Sequence, residues 1–552
     1  MKRPTIATDG SSVVRRIGVY GWGVVAPGAR NVDCLSALLE RQESALALDG
    51  RLEFGSGLFA VGEPQFDLSD WERWIRDRHG DAYVARLRAK MGDNVQFVIG
   101  ATIQALVGAP GLEAMLRELD DQCHIYVGSG VGDLPETIRA SRTHERALRA
   151  WNRYWADRAR CSARRQFEDD GELPSESTSG VLRGPPPTPP AIPPRDPRTL
   201  PVDSEARFDA LDAWHAFWAR RSEDLAAFLA RFAAIERLDD DPIRPDAHVG
   251  TIRKRLRAHR TLVEETGCPT PPWDAVSPNL VWNIQNAPSA QLTMLLDLHG
   301  PAWAPVGACS TFGVALKCAI DAIERGEAKA AIVGTADPRP TPTLVAAFHQ
   351  ARVTPATGDV TAPLTTLRGT HVSGGACVWI VGDADFCESR GLRPLTYVEA
   401  VALSSDAEHI ITPSKSGPKR AIRRAYEVAG IGPEDVAIVD LHATGTPGDL
   451  TELVLVDEFI DKRTRVTARK GQLGHGMSNS GGWELTALAM SLARHRALPT
   501  GIDRSQLHPR IPRPSAIVAG DESPLERGVG VKLMLGIGGI TACVVVRAPK
   551  SP

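Results

Sequence analysis

The chain lacks any pattern that would tie its nine cysteines together. They are scattered from Cys34 to Cys543, and no two form a CxxC pair. That spacing argues against a structural zinc site or a disulfide framework, and it fits a reducing, cytoplasmic setting. No apolar run approaches the roughly 18 residues of a membrane-spanning helix. The opening segment, MKRPTIATDGSSVVRR, carries no apolar stretch of the secretory type, so no leader is expected. A formal charge of -3 gives no overall pull toward nucleic acid or membrane. What is present is ordinary for a soluble globular protein, with 43% hydrophobic and 24% charged residues. The length of 552 residues allows one very large domain or several ordinary ones.

Two textures divide the chain. Outside its middle, strand and helix signals alternate, as in α/β proteins. RRIGVYGWGVVAPGA, CHIYVG, AWAPVGAC, AKAAIVGTAD and VAIVDLHATG read as strands, and VGVKLMLGIGGITACVVVR as two strands around a glycine turn. NVDCLSALLERQ, STFGVALKCAIDAIERG, GPKRAIRRAYEVAG and GGWELTALAMSLARH read as helices, as does the segment whose Val95, Ile99, Ile103 and Leu106 share one face. Residues 136–275 differ and read as a largely helical insertion. Residues 138–168 hold nine arginines against three acids, a local charge of +6, with Leu148, Trp151 and Trp155 on one helical face. A proline-rich tract from Gly184 to Pro201 reads as an extended linker. Phe208, Leu211, Trp214, Trp218, Leu225, Phe228, Phe232 and Ile235 then mark one or two amphipathic helices, and TIRKRLRAHRTLVEE adds a basic one.

Chemistry gathers in three glycine-rich turns. VGACSTFG places Cys309 between a strand and a helix, where a helix N-terminus favours a thiolate. VDLHATGTPGD places His442 at a strand end. KGQLGHGMSNSGGWE places Lys470 and His475 in a loop before a helix. Singly these are weak signals; as an ordered set they are specific.

In these segments the sequence resembles the β-ketoacyl synthase (condensing enzyme) family of the thiolase superfamily, over roughly residues 15–135 and 276–548. The active-cysteine segment around Cys309, HATGTPGDLTE, KGQLGHGMSNSGGWE and the closing LGIGGITA carry the resemblance. It implies the thiolase fold: two similar α/β halves in five layers, α-β-α-β-α. The N-terminal half would span 15–350, contain Cys309 and be interrupted by the insertion at 136–275. The C-terminal half, 351–552, would contain His442 and His475. It also implies a homodimer.

For the site, the resemblance implies Cys309 as nucleophile with His442 and His475 as hydrogen-bond donors, and Lys470 behind them tuning their charge. Thr444 and Thr446 would bind the phosphopantetheine arm, and Glu484 and Asp449 would give support. The amides of Cys309 and Ile537 would hold an oxyanion, with Gly536, Gly538 and Gly539 permitting close approach. No metal and no permanently bound cofactor is implied; phosphopantetheine arrives on an acyl carrier protein or coenzyme A. The implied reaction is decarboxylative Claisen condensation in fatty-acid or polyketide-type biosynthesis, by a standalone synthase. Two alternatives stand beside it: a cysteine-dependent acyltransferase acting on an amine or alcohol, and a non-catalytic chain-length-factor-like subunit. The latter typically lacks the nucleophile present here.

The sequence departs from the family pattern at named positions. Ala443 replaces a glycine, and the spacing to Asp449 is one residue shorter. Gly369 stands for an acid, Gly375 for a glutamate of a buried polar network, and Ile537 for a gating phenylalanine. The insertion reads either as helical decoration or as a basic docking surface for an acidic carrier. Trp151, Tyr154 and Trp155 among the arginines do not make a nucleic-acid site in a chain that is acidic overall.

Overall fold

Strands that are apolar at every position, rather than at alternate ones, need a layer on both faces. IGVYGWGVV and GACVWIVGD are of this kind, with almost every residue buried. The computed structural model describes residues 15–48, 58–172, 192–237, 245–406, 415–520, 523–526 and 528–549. Ten strands form one mixed sheet: β1 (Ile17–Val25), β2 (Cys123–Gly128), β3 (Ala302–Trp303), β4 (Ala330–Asp337), β5 (Gly375–Asp383), β6 (Thr396–Ser405), β7 (Ile438–Asp440), β8 (Arg465–Thr467), β9 (Val529–Gly536) and β10 (Ile540–Arg547). Their order is β8-β7-β9-β10-β6-β1-β5-β4-β2-β3. From the middle outward, the first five strands run β1-β5-β4-β2-β3 and the last five repeat the pattern as β6-β10-β9-β7-β8. In each set the two inner pairings are antiparallel and the two outer ones parallel. The sets join where Ile17–Val19 of β1 pairs antiparallel with Thr396–Val398 of β6.

Helices cover the faces. Thr311–Glu324 and Ser480–Ala493 share one buried core, with Phe312, Leu316, Trp483 and Leu488 among its members. Asp93–Val107 packs in a second core with residues of β1 and β5, and Ser416–Ala429 in a third with residues of β6 and β10. Val95, Ile99, Ile103 and Leu106 are buried, as their common face predicts, but the helix is buried nearly all round. Among the described residues no single helix is long and apolar enough to cross a membrane. All nine cysteines are free.

The chain forms two compact units, residues 1–136 with 281–552, and residues 137–280. The second unit is helical, with Trp155, Trp214, Trp218, Phe228 and Leu262 in its core. Leu148 and Phe208 do not join that core; both are exposed. Trp151 and Trp155 are buried, and the Tyr154 hydroxyl donates to the Thr266 carbonyl, so these rings are packing, not a stacking platform. Part of the positive charge is committed locally, in Arg149–Asp212, Arg158–Asp169 and Arg164–Glu168 pairs. Residues 184–191 of the proline-rich tract lie outside the described residues. The remainder contains one short helical turn, Pro197–Thr199.

The strand expected from AWAPVGAC is much shorter than its apolar content suggests. It ends at Trp303, because Pro305 has no N–H to give a ladder.

Candidate active site

Cys309 lies in a tight turn, Ala308–Ser310, that leads into the helix Thr311–Glu324. Ala308 takes a left-handed φ of 50°, which turns the chain sharply before the cysteine. Thr311 pins the turn: its hydroxyl donates to the Ala308 carbonyl at 2.7 Å and accepts from Gly307 N at 3.0 Å. Ser310 Oγ reaches the carbonyls of Met534 (2.9 Å) and Ile540 (2.8 Å), one on each strand of the β9–β10 hairpin. The hairpin loop Gly536–Gly539 is thereby held at the cysteine, and the Ile537 amide favours the Cys309 thiolate. Gly538 (φ 92°) and Gly539 (φ 72°) make the turn that permits this.

His442 follows β7. Its amide and that of Ala443 donate to the two oxygens of Glu452 at 2.6 and 2.8 Å. Asp449 accepts from the amides of Thr444, Gly445 and Leu364 at 2.8 to 3.0 Å, so the shortened motif closes on its own acid. Thr444 and Thr446 bring their hydroxyls within 3.1 Å of each other. His475 follows β8 and a short helical turn at Lys470–Leu473. It is clamped by two backbone bonds, His475 N to His371 O (2.7 Å) and Ser373 N to His475 O (2.9 Å). Lys470 lies behind the pair: its Nζ donates to the His442 carbonyl and to Glu484 Oε1, the latter at 2.9 Å.

The turns converge. The Cys309 sulfur and one nitrogen from each of His442 and His475 all lie within 4.8 Å of one another. The two imidazoles are 5.5 Å apart and nearly perpendicular, at 85°. Cys309, His442, His475, Thr444, Thr446 and Ile537 line one cavity of about 440 Å³. Burial first, and the Lys470 charge second, hold both imidazoles neutral: His442 falls well below its ordinary value and His475 to about 3. Burial pushes the Cys309 thiol up to about 11, against the Ile537 amide and Lys470. The expectation that a helix start ionises the resting thiol is therefore opposed by desolvation, which is the larger effect here.

A thiol with two imidazoles is also a donor set of the kind that holds zinc. Met477 N donates to His475 Nδ1 at 3.1 Å. The neutral ring then carries its hydrogen on Nε2, which leaves no lone pair there for a metal and makes His475 a hydrogen-bond donor.

The departures have local causes. Gly375 has φ 143°, and a Cβ there would lie 2.1 Å from the Val25 carbonyl and 2.8 Å from the Trp483 ring. Trp483 fills the adjoining space and donates to the Ala376 carbonyl at 2.9 Å. Gly375→Glu is accordingly expected to lower stability by about 3 kcal/mol or more in denaturant unfolding, despite supplying the residue usual in the family. Gly369 N donates to the Gly445 carbonyl at 2.7 Å, and a side chain there would meet the Val353 carbonyl.

Three further residues belong to the site's surroundings. Glu452 stands within the quoted histidine motif, but its contact with two amides is not readable from spacing. Asp440 and Lys532 are apolar-strand residues in the sequence and ion-pair partners in the structure, 2.8 Å apart.

Residues 249–384 match the family model for the β-ketoacyl synthase N-terminal domain, and residues 395–503 that for its C-terminal domain. Cys309 falls in the first match; His442, Lys470, His475 and Glu484 fall in the second. The chain belongs to the β-ketoacyl synthase family. Among its relatives, 3-oxoacyl-(acyl-carrier-protein) synthase 2 of Staphylococcus aureus (strain COL) is 28% identical over 277 residues, covering 48% of this chain and 66% of that protein. The Mycobacterium bovis protein of the same name is 30% identical over 278 residues, with the same coverage. The match therefore spans just under two thirds of these relatives' length. A β-ketoacyl synthase from Burkholderia phymatum has the same fold, with a TM-score of 0.65 at 17% identity, covering 97% of this chain and 100% of that one.

Proposed function

We propose that this β-ketoacyl synthase family member catalyses decarboxylative Claisen condensation through an acyl-Cys309 intermediate. The observation that carries the reading is the convergence of one thiol and two neutral imidazoles on a single cavity. Cys309 attacks the carbonyl of an acyl thioester, and the amides of Cys309 and Ile537 receive the oxyanion. His475 enters as a donor through Nε2, which leaves His442 to take the thiol proton and return it to the departing thiol. A malonyl-type thioester then loses carbon dioxide, with its enolate oxygen held by the His475 Nε2 hydrogen. The resulting carbanion attacks acyl-Cys309, the cysteine sulfur leaves as a thiolate, and it takes a proton from solvent to restore the thiol.

The cavity suits a pantetheine arm. Thr444 and Thr446 offer hydroxyls along it, and the exposed Arg352 on its lining offers a cation for the arm's phosphate. The arm would be carried by an acyl carrier protein or coenzyme A. The strand order that repeats in the two sets of five, with helices between and outside them, supports two thiolase-like halves, 15–350 and 351–552, in five layers. A second copy of the chain is supported by the short edge strand β3, where Trp303, Val306 and Met294 are exposed.

Mass spectrometry of the protein with a panel of acyl thioesters and malonyl-carrier protein tests the reading. An acyl mass on Cys309, followed by its appearance on the carrier with loss of carbon dioxide, is expected. Acylation of Cys309 with malonyl-carrier left intact would instead favour transfer to an amine or alcohol. No acylation at all would leave the chain-length-factor-like role.

A further inference from the structure

Lys532 is wholly buried, yet its neighbours in β9 are apolar and the reaction above makes no use of it. Its Nζ lies 2.8 Å from Asp440 Oδ1, 2.8 Å from the Leu441 carbonyl and 2.7 Å from Glu484 Oε2. Each contact leads to the two-histidine site. Asp440 and Leu441 are the two residues before His442. Glu484 is the carboxylate that holds Lys470, whose own ammonium donates to the His442 carbonyl.

Charge balance gives the lysine its importance. Behind the imidazoles lie three cations, Arg469, Lys470 and Lys532, and two carboxylates, Asp440 and Glu484. With Lys532 the cluster carries one net positive charge; without it the cluster is neutral. Arg469 is turned away, to Asp440 (3.3 Å) and the carbonyls of Leu498 and Pro499. The other groups at the imidazoles are Glu452, bonded to the backbone of His442, and Cys309 on the cavity side. Asp449 holds the turn after His442, and Asp337 accepts from Ser478 beyond His475.

We propose that Lys532 is a positioning residue for the two-histidine site: it compensates Asp440 and Glu484 so that the charge of Lys470 faces His442 and His475 undiminished, and it fixes the strand end that carries His442. Burial works against the charge of Lys532, but Asp440 and Glu484 outweigh it and hold the lysine above its ordinary value. The same charge adds to that of Lys470 in keeping both imidazoles unprotonated. The lysine would thus hold both rings neutral, His475 as a donor and His442 free to accept a proton, a role that rests on the proposed condensation only for its catalytic meaning.

The test is a titration that needs no substrate. Full-length protein labelled at histidine Cε1 is followed by NMR between about pH 4.5 and about pH 8, with His442 and His475 assigned from single replacements. In the wild type both resonances should stay flat. In Lys532→Met the cluster drops to net zero, and the His442 midpoint should rise into this range, by at least about one pH unit. In Lys532→Met/Asp440→Asn one cation and one carboxylate are gone, the net charge is restored, and both resonances should be flat again. A merely structural role would not be rescued by a second loss. If Lys532→Met stays folded and both imidazoles remain flat, the proposal is wrong. If that variant does not fold, the double variant decides: a folded protein with flat resonances is the expected result, and a titrating His442 overturns the proposal. Failure of the condensation assay would leave this titration unaffected, so the two readings stand or fall separately.

Discussion

Cys309→Ala is expected to abolish acyl loading and to lower condensation by roughly 10,000-fold or more, while decarboxylation of a malonyl thioester continues. The first half follows from the Cys309 sulfur lying in reach of both imidazoles. The second follows from the proposed mechanism, in which the enolate is held by His475, a residue the substitution does not touch. Intact-mass measurement after incubation with an acyl thioester checks loading, and release of carbon dioxide from malonyl-carrier checks the rest. Retained condensation in this variant would sink the covalent mechanism. The resting protonation of the thiol gives a second readout on the wild type. With its value pushed up to about 11 by burial, Cys309 is a neutral thiol near pH 7. Alkylation by iodoacetamide should therefore climb about tenfold per pH unit between about pH 7 and pH 9 with no plateau. A plateau near neutrality would show a preformed thiolate and remove the need for His442 as proton acceptor.

The reactive turns were legible because glycine-rich junctions around a cysteine or a histidine need only local sequence. The structure brings Cys309, His442, Lys470, His475 and the 536–539 loop together and places Glu484 on Lys470. Lys532 was not legible, for a physical reason. VGVKLMLG reads as a strand with one stray lysine, and VAIVDLHATG as a strand ending in an acid. Only the register of β9 on β7, which sets Lys532 directly beside Asp440, makes them partners. Pairing of strands about 90 residues apart is a tertiary fact, absent from spacing within either segment. The same limit applies to Gly375. Sequence shows a missing glutamate; the structure shows a backbone with φ 143° packed against Trp483, where no side chain fits. The exposed Leu148 and Phe208 mark the opposite error. Helical periodicity places them on an apolar face, but it says nothing of how wide a face the neighbouring helices cover.

His475→Ala carries the other large expected effect, a fall of about 100- to 1,000-fold in decarboxylation and condensation, with acylation of Cys309 changed far less. The split follows from the ring's hydrogen bonds. Its Nδ1 is occupied by the Met477 amide, so His475 presents a hydrogen at Nε2 and accepts no proton from Cys309 while that bond lasts. In the proposed mechanism it serves the step in which negative charge grows on the malonyl thioester oxygen and not the step in which the thiol loses its proton. His475→Asn, which keeps an N–H donor, should recover part of the loss, whereas a ring needed as a base would gain nothing from an amide. The pH profile points the same way. His475 stays unprotonated down to about pH 3, so the wild-type decarboxylation rate should show no acidic limb from this ring above about pH 5. Equal loss of acylation and decarboxylation in His475→Ala would contradict the division of labour, and would place the proton acceptor on His475 rather than His442.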